Sequence, residues 1–216
     1  MITPQRIICF TLSIVLLSSC GLDLPPIPQR VVRVRALADA KLRERNSRWR
    51  EEVHGLIESA SDYFEREFGI RLMAQSINPW PLEQKISSTA ELLALLKAKF
   101  PSQERDGSYD LLIGFTGENV NTYMGRSRVD RIGNCQEGLG AYVVSSVSAP
   151  FHYGGPYAEP ELDVVALIHE LGHIFGAEHT RDAGSIMNED FDYRTEFDKK
   201  NREIILKNKF CPFAKG

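Results

Sequence analysis

The chain carries no excess of positive charge: its 26 Lys and Arg face 29 Asp and Glu, for a net charge of −3. A nucleic-acid partner would need a clearly basic face, so that class is set aside. There is no internal repeat and no low-complexity segment, which excludes solenoids and fibrous assemblies. No apolar run approaches the roughly 20 residues that cross a bilayer as a helix. Cysteine is scarce, at four in 216 residues, which argues against a disulfide-dense miniature scaffold. Histidine is equally scarce, at five, so its distribution carries information. What remains is a composition of 43% apolar and 25% charged residues, suited to one globular domain large enough to bury a core, and a monomer is the expectation.

The N-terminus reads as a targeting segment. Arg6 supplies a positive start, Ile7 to Leu17 an apolar stretch too short to span a membrane, and Leu17-Ser18-Ser19-Cys20 follows at once. That tetrapeptide resembles the bacterial lipobox, in which the cysteine is lipidated and becomes the first mature residue. The resemblance implies a signal peptide over residues 1–19 and a lipidated Cys20 with a proline-containing linker over 20–29, which leaves residues 30–216 as the folded domain. It also implies a lipid anchor in the cell envelope, with the outer membrane favoured in a Gram-negative host because Gly21 is not the Asp of inner-membrane retention. The alternative is an ordinary secretory signal with an incidental cysteine. About ten residues then separate Cys20 from the first strand, so no N-terminal processing beyond signal removal is expected. Export to an oxidising compartment leaves Cys135 and Cys211 to form a disulfide, the alternative being two buried thiols.

Hydrophobic periodicity gives the rest of the framework. Val31 to Ala38 reads as a strand, and a helix from about Asn46 buries Trp49, Val53, Leu56, Ile57, Ala60, Phe64 and Phe68 at three- and four-residue steps before Gly69 ends it. Ile70 to Ile77 reads as a strand, Ser88 to Phe100 as a helix, and Tyr109 to Phe115 as a central strand apolar on both faces. Residues 116–137 read as a long loop, and Gly138 to Val144 as a short strand. Strands alternating with helices specify an α/β (α+β) fold with a twisted, mostly parallel sheet.

Glu161 to Phe175 is helical by pattern and contains His169-Glu170-Leu171-Gly172-His173. Histidines four residues apart lie about 40° apart around a helix, so both rings address one ion. Gly176 can adopt a left-handed conformation and turn the chain back, bringing His179 to the same ion. The pattern H-E-x-x-H-x-x-G-x-x-H thus supplies three nitrogen donors to one catalytic Zn²⁺ and leaves the fourth tetrahedral position for water. Glu170, beside a ligand without being one, is placed to act as general base on that water. Three of the five histidines fall within these eleven residues.

The run from His169 to His179 looks like the extended zinc motif of the metzincins, and Ser185-Ile186-Met187-Asn188 resembles their Met-turn. The order of elements over residues 30–211 is similar to the adamalysin (reprolysin) branch. The resemblance implies a metzincin-like zincin with a zinc-binding active-site helix, a C-terminal helix and a Met-turn at Met187. It further implies that Gly138, Leu139, Gly140, Ala141, Tyr142, Val143 and Val144 form an antiparallel edge strand onto which an extended peptide or protein substrate adds. Thr180 stands where adamalysins commonly have Asp, and no Tyr follows Met187 by two residues, so no tyrosine ligand is expected. The implied activity is zinc-dependent endopeptidase. Alternatives are an envelope lipoprotein that binds a partner around a relic zinc site, and a zinc hydrolase of a non-peptide amide. His152, Tyr153 and Tyr157 read either as a cleft wall or as an ordinary loop, and His54 as a residue of a solvated helix face.

Overall fold

A computed structural model of the chain describes residues 29–82, 84, 86–102, 106–118, 127–189 and 194–214. The expected signal segment over 1–19, Cys20 and most of the expected linker over 20–29 lie outside the described residues. Among the described residues no helix is long and apolar enough to cross a membrane.

The elements run β1 (Arg30–Ala38), α1 (Ala40–Arg45), α2 (Trp49–Phe68), β2 (Ile70–Pro79), α3 (Thr89–Lys99), β3 (Leu111–Thr116), β4 (Ser127–Val129), β5 (Tyr142–Ser146), α4 (Leu162–Ile174) and α5 (Lys199–Asn208). The sheet order is β2-β1-β3-β5-β4. Every neighbouring pair is parallel except β4 with β5. The expected α/β fold with a mostly parallel sheet and one antiparallel edge is therefore present, as is the C-terminal helix.

Two apolar layers hold it together. On one face Val32, Val34, Ala36, Ile70, Leu72 and Leu111 meet the buried stripe of α2 and the apolar side of α4 from Val164 to Ile174. On the other, Leu37, Leu112, Tyr142 and Val144 meet α3 and Trp80. The α2 stripe is the one that periodicity indicates, and the helix stops where Gly69 takes φ 68° and returns its N–H to Glu65 O. Helix α1, which periodicity does not show, exists because Asp39 caps it: its carboxylate accepts from Leu42 N at 2.8 Å and from Gly117 N at 3.1 Å.

The edge strand requires a correction. Residues Gly138, Leu139, Gly140, Ala141, Tyr142, Val143 and Val144 do not form it. Tyr142, Val143 and Val144 open β5, which is buried along its length and lies between β3 and β4, parallel to β3. Gly138, Leu139, Gly140 and Ala141 are irregular: Leu139 pairs with Phe213 of the C-terminal tail, and the Ala141 and Tyr142 N–H groups both go to Asp130 Oδ1. An unbroken Ala-Tyr-Val-Val run is the signature of a strand covered on both faces, hence an interior one. The edge belongs instead to Ser127–Val129, a strand too short and too polar to stand out from the surrounding loop.

Cys135 and Cys211 are joined as a disulfide, with Cα atoms 5.0 Å apart across 76 residues of sequence. The bridge ties the segment before β5 to the tail that pairs with Leu139.

Candidate metal centre

Helix α4 passes through the middle of the molecule, and every residue from Asp163 to Ile174 is buried. It starts with a negative charge in its first turn, Asp163, whose carboxylate accepts from Ser148 N and Oγ at 2.8 and 3.0 Å. It ends in a Schellman turn. Gly176 has φ 98°, its N–H reaches His173 O at 2.9 Å, and Ala177 N–H reaches Gly172 O at 2.9 Å. A Cβ on Gly176 would sit 2.5 Å from Asn208 Nδ2 and 2.6 Å from Gly133 O, so the position excludes a side chain as well as demanding the conformation.

That turn folds the chain back far enough for His179 to meet the helix. The Nε2 atoms of His169 and His173 are 3.1 Å apart, those of His173 and His179 3.1 Å, and those of His169 and His179 3.3 Å. Each Nδ1 has an oxygen acceptor at 2.7 Å: Ile186 O for His169, Ala177 O for His173 and Glu189 Oε1 for His179. A backbone carbonyl can only accept, so the proton of each neutral ring of His169 and His173 resides on Nδ1 and the Nε2 lone pair points inward. Converging lone pairs repel unless a cation lies among them. Four-coordinate zinc with bonds of about 2.0–2.1 Å sets its nitrogen donors about 3.3 Å apart, which these separations match. Among the described residues these three form the group of side chains spaced to hold a metal ion.

Electrostatics agree with ligation. Burial pushes the His169 and His173 imidazoles down to about 4, so both are neutral at physiological pH. Burial pushes the Glu170 carboxyl up to about 8, against the opposing influence of the Arg128 charge and a hydrogen bond from Val129 N–H. Both opposing groups belong to β4, the strand beside which α4 packs.

The floor of the centre is the turn at Met187. The side chain is fully buried, and Sδ lies 2.9 Å from where a Cβ on Gly172 would stand, which explains the glycine between the two helical ligands. The turn is held from both sides. Thr180 N donates to Met187 O at 3.1 Å, and Ser185 Oγ accepts from Met187 N at 3.1 Å while donating to Asp198 Oδ2 at 2.8 Å. Asp198 also caps α5, and Asn201 one turn later makes paired bonds to Glu178 N and O at 2.8 and 2.9 Å. The start of α5 therefore fixes both the Met187 turn and the loop that carries His179.

Sequence reasoning placed His169, Glu170, His173, His179 and Met187 in one region, and the fold brings them together. It missed Glu189, Asp198, Asn201 and the β4 contact. An Asp-x-x-Asn cap is visible before α5, but nothing local marks Glu189. His152, Tyr153 and Tyr157 lie elsewhere: Tyr153 packs on Gly55 of α2 and donates to Asp62, beside the β2 edge of the sheet and opposite β4. His54 is exposed and 3.9 Å from Glu58, on a solvated face.

The fold is shared with archaemetzincin from Methanopyrus kandleri, to which the chain is 19% identical with a TM-score of 0.57, over 82% of this chain and 95% of that one. No curated protein matches it. A family model described as metallo-peptidase family M12 matches residues 28–211. Covering the sheet, the three converging imidazoles and the turn beneath them, that match shows that the chain belongs to metallo-peptidase family M12.

Proposed function

We propose that the protein is a zinc-dependent endopeptidase of the metzincin type, most similar to the adamalysin branch, with one catalytic ion held by His169, His173 and His179. The observation that carries this reading is the approach of three Nε2 atoms to within 3.1–3.3 Å of one another, with Glu170 on the same helix as two of them and that helix packed beside β4, the last strand of the sheet among the described residues. When bound, the ion supplies Lewis acidity towards water and towards the scissile carbonyl.

The remaining work falls to the chain's own groups. Glu170 accepts the proton of the attacking water on a carboxylate oxygen and passes it to the leaving amine. Ile186 O and Ala177 O hold the two helical imidazoles in the tautomer that leaves Nε2 free.

Strand β4 positions the substrate. Successive N–H groups of an edge strand alternate between the neighbouring strand and solvent. Asp130 N–H faces β5, donating to Tyr142 O at 3.2 Å, so Val129 N–H faces away from β5, and its influence opposes the upward push of burial on the Glu170 carboxyl. An extended peptide adding to this edge by main-chain bonds lays its backbone past Glu170. A compact small molecule makes no use of such an edge.

The Leu17-Ser18-Ser19-Cys20 segment supports lipid anchoring through Cys20 in the cell envelope, with the outer membrane as destination in a Gram-negative host. The domain acts there as a monomer on extended peptide or protein substrates. Cleavage of a peptide library by wild type and Glu170→Ala tests the assignment. Zinc-dependent cleavage by the wild type and its loss in the variant are expected; equal behaviour of the two proteins ends the peptidase reading.

A further inference from the structure

His179 differs from the other two ligands in its surroundings. His169 and His173 are buried on a rigid helix and bonded to main-chain carbonyls. His179 lies on a loop with its side chain 47% exposed, and its Nδ1 partner is a carboxylate, Glu189 Oε1, at 2.7 Å. Its ring stands against the His169 and His173 rings and, being half exposed, is enclosed less than theirs are among the described residues.

Glu189 is delivered to that position by the backbone. A parallel bridge joins Thr180 to Asn188, Thr180 N bonds Met187 O, and Asn188 Nδ2 bonds Asp182 O at 3.1 Å. The chain leaving the Met187 turn is thereby registered against the chain leaving His179, and the next residue is Glu189. Its side chain is 72% exposed, so it contributes little packing. Among the described residues, the interaction of this side chain is its bond to His179.

We infer that Glu189 is a positioning residue for the metal, orienting the His179 ring and strengthening Nε2 as a donor through a carboxylate–histidine–metal relay. This rests on the three-histidine metal reading and goes beyond it by assigning control of metal retention to a residue outside the ligand motif. The physical basis is twofold. A ring fixed at Nδ1 loses no further rotational freedom when Nε2 binds, and an anion on Nδ1–H increases electron density at Nε2. Three neutral imidazoles leave a divalent ion with its full charge, and Glu189 supplies an anion one ring away. Because His179 is the exposed ligand, it is the one from which a departing ion is released.

The experiment uses the full chain, with zinc affinity and zinc release rate measured by chelator competition in wild type, E189A and E189Q. E189A is expected to bind zinc about 10–100-fold more weakly and to release it correspondingly faster. E189Q, whose amide oxygen still accepts from Nδ1–H but carries no charge, is expected to recover the part of the loss due to ring positioning and so to fall between E189A and wild type. Thermal unfolding of the metal-free proteins is expected to be unchanged, as befits an exposed side chain. Equal zinc affinity in wild type and E189A overturns the inference and leaves the metal reading intact. A lowered melting point of metal-free E189A with unaltered affinity also overturns it, by assigning Glu189 a purely structural role. A wild type that binds no stoichiometric zinc overturns both.

Discussion

Replacing Gly176 by Ala puts the Schellman turn to a quantitative test. The backbone there has φ 98°, a conformation that costs an L-residue roughly 1–2 kcal/mol. The added Cβ would lie 2.5 Å from Asn208 Nδ2, which now donates to Phe175 O at 3.0 Å in a buried setting. Displacing Asn208 leaves a buried carbonyl and amide unpaired, at about 1–3 kcal/mol. It would also lie 2.6 Å from Gly133 O, and Gly133 N–H bonds His173 O at 2.9 Å, so the strain reaches a ligand. Together these predict a loss of roughly 2–5 kcal/mol for metal-free protein, or a melting temperature lower by about 5–15 °C at this chain length. Urea unfolding of the oxidised, metal-free chain provides the measurement. Gly176→Asn separates the two causes, since Asn tolerates positive φ but keeps the collision. A loss below about 1 kcal/mol in Gly176→Ala would refute the claim that this turn is sterically closed.

Asn201→Ala strips two hydrogen bonds from the Glu178 backbone beside His179; it is expected to destabilise the fold by about 1–3 kcal/mol and to weaken zinc binding, and a variant with wild-type affinity would show that α5 does not hold the ligand loop. In metal-free protein His169 and His173 are lowered from 6.5 to about 4, so between those values the unfolded chain binds protons that the folded chain refuses, and stability rises with pH. Glu170 is raised from 4.5 to about 8, which acts in the opposite direction and acts alone above 6.5. Urea midpoints of metal-free protein are therefore expected to peak near pH 6.5, and a continued rise from 6.5 to 8 would contradict the buried carboxyl. Reducing Cys135–Cys211 opens a loop of 76 residues. The chain-entropy model then predicts a loss of about 4.5 kcal/mol, readable from unfolding with and without reductant, and unchanged stability would discount the bridge. Chelation is expected to abolish peptide cleavage and zinc addition to restore it; activity that survives complete metal removal would exclude metal-assisted hydrolysis.

The parts of the fold legible in the sequence are those set by local periodicity. Helix α2 shows its stripe from Trp49 to Phe68, β3 shows an unbroken apolar run, and α4 carries its ligands at a spacing only a helix reconciles. Strand β4 was invisible because three residues carry no period, and its role is set by β5 beside it. The same absence misdirected the edge assignment towards Tyr142 and Val143, whose burial on both faces reflects interior position. At the centre, ligand identity follows from spacing, whereas the acceptors behind the ligands do not. Ile186 O and Ala177 O are main-chain atoms that no residue type advertises. Glu189 reaches His179 only through the pairing of Thr180 with Asn188, a tertiary event.

Strand β1 follows the proposed tether directly and lies inside the sheet, with β2 on one side and β3 on the other. Gln29 and Arg30 are already fastened to Gly69 O at its entrance. A pull transmitted along the chain from the N-terminus, as when an anchored molecule is dragged by what it has gripped, thus meets two ladders at once. Extraction must shear both together, and an outer strand, which peels open one rung at a time, would offer far less mechanical resistance.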